Sequence, residues 1–372
     1  MDEKTCFIAL TLIKGLGNVL ISRLTGECGS AENVFKAAKT AGTLSGIDGV
    51  GADTEKLVRN FSEWERAERE VSEARKRGFD ILTLAAPGYP QRLKNVHSAP
   101  AILYVSGEIR ESDSLAVAIV GSRYANKYGR ESAKKLSYEL AEAGVCVVSG
   151  MARGVDSAAH KAAVDAGGRT IAVLGSGLDV IYPPENHELY KSISKNGAVI
   201  SAFPLRTAPD KTHFPERNAV ISGLSLGTVV VQAARKSGAL ITAKLALEQN
   251  RDVFAVPGRI NEPISEGANS LIKQGAILVE SADDIISGIR ELKDLQTAAR
   301  TKQQQRTAEE KIASLPREKR KLLSLIQEKP LHIDEITEQS GETVASISAL
   351  ILELEIEGLV ENSEGGMYQA KI

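Results

Sequence analysis

The stretch Leu115-Ala116-Val117-Ala118-Ile119-Val120-Gly121-Ser122-Arg123 is an apolar run without polar alternation that ends on a glycine and a cation. A strand covered on both faces needs such a run, because neither side meets water. The pattern recurs at Val145–Ser149, Thr170–Leu174, Ala198–Phe203, Thr228–Val231, Val253–Val256 and Ile277–Val279. Helical patterns fill the gaps at Tyr128–Ala143, Ser157–Ala166, Glu185–Asn196, Ala239–Asn250 and Asn269–Gln274. This alternation predicts a Rossmann-like, doubly wound parallel sheet with right-handed crossovers from about Leu115 to Glu280.

Working outward, Ser62–Arg77 has the spacing of a charged amphipathic helix. Phe79–Leu84 and Ile102–Val105 read as strands, separated by the breakers Pro87, Gly88, Pro90 and Pro100. Residues 1–62 read as a small helical domain. Within it Ile13-Lys14-Gly15-Leu16-Gly17 and Ile47-Asp48-Gly49-Val50-Gly51 repeat a Gly-x-Gly turn before a helical segment. That is the form of a helix-hairpin-helix (SAM-like) unit, and equally of two tight turns in a bundle. Residues 63–290 form the extended Rossmann-like domain. Residues 291–315, rich in Lys, Gln, Arg, Thr and Ala, read as a linker. Residues 316–372 follow with helices at Arg317–Gln327, Ile333–Gln339 and Val344–Glu357, then a hairpin around Gly365-Gly366. Three helices and a terminal hairpin describe a winged helix. Its recognition helix, Thr343–Glu357, carries Glu353, Glu355 and Glu357 and no Lys or Arg, so phosphate would be repelled. That module is read as a protein-interaction or packing unit.

The chain has 372 residues, 42% hydrophobic and 25% charged, which suits two or three soluble domains rather than a disordered chain. A net charge of −2 argues against a tail-driven DNA binder, yet leaves room for a local basic cleft. Cys6, Cys28 and Cys146 form no CxxC pair and are odd in number, so neither a disulfide framework nor a zinc site is expected. This fits a reducing cytoplasm. Phe7–Ile13 is too short for a signal peptide, and no run is long enough to span a bilayer.

Ligands of an open parallel sheet bind beyond the carboxyl ends of its strands. There the sequence places Gly121-Ser122-Arg123, then Gly150-Met151-Ala152-Arg153-Gly154-Val155-Asp156, then Gly175-Ser176-Gly177. Lys211-Thr212-His213-Phe214-Pro215-Glu216-Arg217-Asn218, Arg235-Lys236-Ser237-Gly238 and Pro257-Gly258-Arg259 complete the edge. Each glycine alone reads as a βα turn, and each arginine alone as a surface charge. Together they give backbone N–H donors, helix N-termini and guanidinium forks that suit phosphate. Phe214 and His213 offer faces on which unpaired bases stack.

Several enzyme chemistries lack their residues. The first turn is not Gly-x-Gly-x-x-Gly, and no Gly-x-x-x-x-Gly-Lys-Ser/Thr or Gly-x-Ser-x-Gly occurs. His97, His160, His187, His213 and His332 have no metal-ligand spacing. His160 reads as a packed residue and Asp156 as a helix cap. No cofactor or metal is expected.

In order along the chain, the motifs Ala118-Ile119-Val120-Gly121-Ser122-Arg123, Ser149-Gly150-Met151-Ala152-Arg153-Gly154-Val155-Asp156 and Ala172-Val173-Leu174-Gly175-Ser176-Gly177-Leu178-Asp179 resemble the DNA-processing protein A (DprA/Smf) family. So do Tyr182-Pro183-Pro184-Glu185-Asn186, His213-Phe214-Pro215-Glu216-Arg217-Asn218, Ser237-Gly238-Ala239-Leu240-Ile241-Thr242-Ala243, Val256-Pro257-Gly258 and Gly267-Ala268-Asn269-Ser270-Leu271-Ile272. The resemblance runs from about Tyr89 to Asp284. It implies a cytoplasmic, non-enzymatic protein of natural transformation that binds and protects incoming single-stranded DNA and helps load a RecA-type recombinase. It also implies a homodimer formed through the Rossmann-like domain. The family's DNA pocket carries over to Gly121, Ser122, Arg123, Lys211, Phe214, Arg217 and Asn218. The sheet edge adds Gly150, Arg153, Gly154, Ser237 and Gly238. Two departures stand out: Ala219 where a basic residue is frequent, and Gln232 where an acidic one is. The rival reading is a phosphoribohydrolase on a related Rossmann-like fold. A third gives the acidic winged helix an adaptor role.

Overall fold

Seven short parallel strands, each an apolar run closed by a glycine or polar turn, form the centre of the computed structural model, which describes residues 2–294, 312, 314–327, 329–363 and 366–371. The chain divides into two compact units, Met1–Lys293 and Asp294–Ile372.

The first unit begins with helices α1 (Glu3–Leu12), α2 (Asn18–Cys28), α3 (Ala31–Ala37), α4 (Ala52–Arg59) and α5 (Trp64–Lys76). The apolar run in α1 buries Cys6 to Leu10, as a core helix must. The two glycine turns take positive φ at Gly15 and Gly49. The second turn is occupied by its own protein, since Arg23 donates to the Asp48 carboxylate at 2.7 Å and to its carbonyl at 3.0 Å. Strand β1 (Asp80–Thr83), helix α6 (Gln91–Lys94) and strand β2 (Ile102–Gly107) follow.

The predicted alternation is then observed: β3 (Ala116–Val120), α7 (Lys127–Glu142), β4 (Cys146–Ser149), α8 (Val155–Asp165), β5 (Thr170–Leu174), α9 (His187–Asn196) and β6 (Ala198–Ser201). Helix α10 (His213–Leu224), β7 (Gly227–Val230), α11 (Gly238–Glu248), β8 (Asp252–Ala255), α12 (Glu266–Lys273), β9 (Ile277–Leu278) and α13 (Ala282–Gly288) complete it. The sheet runs β1-β2-β6-β5-β4-β3-β7-β8-β9. Strands β3 to β9 are mutually parallel, while β2 adds antiparallel to β6 and β1 antiparallel to β2. Alternate residues of β3 enter different cores: Val117 and Ile119 pack with α7 and α8, whereas Ala116, Ala118 and Val120 join the cluster on the other face. That second cluster also contains Leu10, Leu24 and Val34, so the N-terminal helices share a core with the sheet.

The second unit comprises α14 (Arg317–Ile326), β10 (Leu331–His332), α15 (Ile333–Ser340), α16 (Val344–Ile356), β11 (Val360–Ser363) and β12 (Met367–Ala370). Its three strands order β10-β12-β11, all antiparallel, which is the winged-helix arrangement. Lys319 of α14 binds Glu353 and Glu357, each at 2.8 Å, so one acid on α16 and the one at its C-cap are matched within the unit. Most of the expected linker (295–311) and Gly365 of the hairpin lie outside the described residues.

Candidate nucleic-acid interface

Strand order reverses between β3 and β7. From β3 the chain steps through β4, β5 and β6 in one direction, and α10 then carries it back across to β7. Such a reversal leaves a crevice between the loops that leave the two central strands in opposite senses. The crevice is a cavity of about 450 Å³ lined by Gly121, Ser122, Arg123, Lys211, Phe214, Arg217, Asn218, Ser237 and Gly238, with Tyr124, Lys236 and Thr242 among its other walls. Nine of the expected residues therefore converge in one place. Gly150 and Arg153 line a smaller adjoining recess of about 90 Å³.

At the first turn, close packing demands glycine. A Cβ on Gly121 would lie 2.5 Å from Val155 Cγ2. The polar groups of Ser122 are occupied: its N–H donates to Gln232 O at 2.7 Å, and its hydroxyl accepts the Tyr124 N–H at 3.1 Å. The turn therefore acts mainly by projecting Arg123, whose guanidinium carbon sits 4.5 Å over the Phe214 ring. Gln232 reaches on to Asn126, accepting its N–H and donating to its side chain, each at 3.1 Å, and so ties this turn to the start of α7.

The second turn locks under the first. Gly154 has φ +78, and a Cβ there would fall 2.2 Å from Ser122 O, so it supports the turn without facing the cavity. Asp156 does not cap α8 as expected. Its carboxylate faces back along the chain and accepts the Ala152 N–H at 3.3 Å. Burial pushes its pKa up against the nearby Arg217 charge. Arg153 is matched rather than free: its Nη2 donates to Glu185 Oε2 at 3.0 Å and its Nε to Glu185 Oε1.

Helix α10 supplies the third wall. Lys211 stands exposed just before it, and Asn218 lines the cavity. Arg217 is only 5% exposed. Its Nη1 donates to the carbonyls of Gly150 and Val173, the latter at 3.0 Å. Burial lowers its pKa to about 10, with the Asp156 charge opposing and Arg123 adding to the fall. Its guanidinium carbon also lies 5.6 Å from the Phe214 ring, so both arginines address that ring. His213 does not join this group: its ring stacks on Phe203 at 4.4 Å and is not part of the cavity wall.

Beyond β7, Arg235 pairs with Glu266 at 3.4 Å, whereas Lys236 has no carboxylate partner among the described residues. The Ser237 hydroxyl caps α11 by accepting the Ala239 N–H at 3.3 Å. Ala219 lies off the cavity, in a groove shared with Thr11 and Leu16, so its lack of charge leaves this wall unaffected. Tyr124, which follows the Gly121-Ser122-Arg123 turn, and Tyr182, which opens the Tyr182-Pro183-Pro184-Glu185-Asn186 motif, also line the recess although neither was among the expected site residues. Arg123, Lys211 and Lys236 thus form no ion pair with a carboxylate among the described residues, and they line one cavity with Phe214 and Tyr124, next to the N-terminus of α11. That combination accepts phosphate oxyanions and flat rings together. No group of His, Cys, Asp and Glu that would hold a metal ion occurs among the described residues. No helix among them is long and apolar enough to cross a membrane.

The chain is similar to proteins of known families. The family described as DNA recombination-mediator protein A matches residues 80–290, and the DprA winged helix domain matches residues 306–366. The Smf protein of Synechocystis is 34% identical over 100% of this chain and 99% of its own length. The Smf protein of Escherichia coli is 40% identical over 76% of this chain and 75% of its own. Among solved structures, DNA processing protein A from Streptococcus pneumoniae superposes with a TM-score of 0.67 at 34% identity, covering 78% of this chain and 99% of that one. DNA processing protein A from Helicobacter pylori, described for its unique single-stranded DNA binding mode, gives 0.52 at 32% identity over 58% of this chain and 96% of that one.

Proposed function

The chain belongs to the DNA recombination-mediator protein A family, and from that membership and the cavity at the strand reversal we propose that it binds single-stranded DNA there. The observation that carries the reading is the convergence of Arg123, Lys211 and Lys236, all without carboxylate partners among the described residues, around the Phe214 ring. Phosphates meet the cations, and the ring adds a surface that recognises no particular base. Gly121, Ser122, Gly150, Gly154, Arg217, Ser237 and Gly238 shape this surface; Asn218 adds an amide to its wall, and Arg153 borders it. Binding rather than turnover is favoured by the state of Asp156, the carboxylate among the cavity's described walls. It is 6% exposed, accepts the Ala152 N–H and has the Arg217 charge beside it, so its contacts among the described residues are internal to the protein. The phosphoribohydrolase alternative shares the phosphate-accepting edge but is not favoured by the family to which the chain belongs.

The wider role we assign follows from the same membership. The protein protects incoming single strands in the cytoplasm during natural transformation, works as a homodimer and helps load a RecA-type recombinase. The decisive experiment is a gel-shift titration of the full chain with single- and double-stranded DNA across salt concentrations. Single strands should bind preferentially, with affinity falling as salt rises. Lys211→Ala should lower the salt slope by about 0.7, because one phosphate then goes unneutralised. Wild-type protein that prefers duplex, or Arg123→Glu and Lys211→Glu variants that bind like wild type, would overturn the assignment.

A further inference from the structure

The Arg123–Phe214 stack is a ridge between two unlike recesses. Both recesses share Arg123, Tyr124, Ala152, Phe214 and Arg217. On the β7 side lie Lys211, Lys236 and the N-terminus of α11. On the β5 side lie Tyr182, Pro183, Gly175, Ser176 and Pro209, and the one cation added there, Arg153, is already matched by Glu185. The first recess is basic. The second adds Tyr182 to the shared Tyr124 and Phe214 and brings no unmatched cation of its own.

Two tyrosines border the second recess. Tyr124 is 86% exposed and Tyr182 37% exposed, so each leaves ring surface open to a ligand. Both line the recess that Arg153 borders, Tyr182 on that side alone and Tyr124 at the ridge between the two. Neither sits on slack backbone. The Tyr124 N–H donates to Ser122 Oγ at 3.1 Å. The loop bearing Tyr182 is pinned by the Asn186 side chain, which donates to Met151 O and Ser157 Oγ, each at 2.8 Å, and by the Ser176 hydroxyl donating to Val180 O at 2.7 Å. Rings held out from rigid turns lose little freedom when they meet a ligand.

The geometry points to a base-stacking subsite formed by Tyr124 and Tyr182: the DNA strand crosses the Arg123–Phe214 ridge with its phosphates in the basic recess and unpaired bases against the two tyrosines. This inference rests on the single-strand reading above. It gives the Tyr182-Pro183-Pro184-Glu185-Asn186 motif a task, with Glu185 neutralising Arg153 so that the recess receives a base instead of a second phosphate.

The test uses the full chain and two probes, an oligothymidylate of about 12 nucleotides and an abasic strand of equal length. Tyr124→Ala and Tyr182→Ala should each weaken oligothymidylate binding by roughly 5- to 150-fold, the range expected when one base has no ring to stack on. Tyr124→Phe and Tyr182→Phe keep the ring face and should stay within about twofold of wild type, which separates stacking from loss of the fold. The abasic strand should bind wild type and both alanine variants alike, and the salt slope should not move. Alanine variants that bind oligothymidylate like wild type, or that lose the abasic strand equally, overturn the subsite while an Arg123→Glu loss leaves the cavity assignment standing. Wild-type protein that binds neither probe overturns both.

Discussion

Arg217→Ala tests whether a residue of the family's DNA motif acts on the ligand or on the protein. The side chain is 5% exposed, its Nη1 donates to the Gly150 and Val173 carbonyls, and the buried Asp156 carboxylate lies beside it. Truncation would remove the larger of the two positive charges that act on that carboxylate, Arg123 being the other, and leave two carbonyls without this donor. Removing one member of a buried charge pair costs about 3–5 kcal/mol, a large share of the roughly 5–15 kcal/mol by which domains are stable. The single tryptophan, Trp64, packs on Phe35 at 4.6 Å within the first unit, so its fluorescence reports urea unfolding of that unit. Arg217→Ala should lower the unfolding free energy by about 3–5 kcal/mol. The double variant Asp156→Asn, Arg217→Met should recover more than about 1 kcal/mol of that loss, because it removes both charges together. In the surviving folded fraction, the salt slope of DNA binding should equal that of wild type. A stability change below about 1 kcal/mol, joined to a slope lowered by about 0.7, would show that Arg217 is a phosphate ligand and refute its role as an internal strut.

Three further outcomes are expected. Glu185→Ala frees Arg153 and should tighten single-strand binding while raising the salt slope by about 0.7, measured against Arg153→Ala, which should leave the slope unchanged. Gly154→Ala puts a Cβ 2.2 Å from Ser122 O at φ +78 and should cost at least about 1–3 kcal/mol by urea titration, displacing Arg123 as well; Gly238→Ala, where a Cβ meets nothing within 4 Å, is the control that should leave stability intact. His160 is fully buried, and burial lowers its pKa from 6.5 to about 3, so it stays neutral in the folded chain while the unfolded chain takes up a proton below 6.5. Its contribution is therefore complete above that pH and is lost as pH falls from 6.5 towards 3, on the order of 4–5 kcal/mol across the window, and His160→Gln should flatten unfolding curves compared at pH values within it.

What the sequence reveals about this molecule depends on whether the cause is local. Thr170–Leu174 is legible to the residue because a strand buried on both faces leaves no polar alternation to misread. Helix α10 is not legible. Arg217, Asn218, Ser222 and Gly223 are buried along with Val220, Ile221 and Leu224, so the polar positions do not mark a solvent face, and Pro215 in the first turn reads as a breaker although no helical N–H is needed there. The cavity itself is predictable, since turns after consecutive parallel strands must share an edge. Which of its cations are free is not. Arg153 meets Glu185, Arg235 meets Glu266, and the His213 ring meets Phe203, all pairings set by tertiary packing.

Those pairings also bear on how a chain whose net charge is −2 would hold a polyanion. An arginine matched by a neighbouring carboxylate offers an incoming phosphate little, because the phosphate must displace an existing ion pair. An arginine turned inward onto carbonyls, like Arg217, offers less. The capacity of the edge is then set by Arg123, Lys211 and Lys236, which have no carboxylate partner among the described residues, and these stand on loops that leave β3, β6 and β7. Only at the reversal of strand order do the loops of β3 and β7 diverge enough to leave space between them, with α10 crossing to close the third side. Spread over a flat edge, three such charges would be screened within about 8–10 Å of salt solution. Gathered with Phe214 and Tyr124 in one crevice, they would act together on a single backbone. The same family motif thus has two layers: glycines, Asp156 and Arg217 that hold the crevice open, and a small set of outward cations and rings that fill it with ligand.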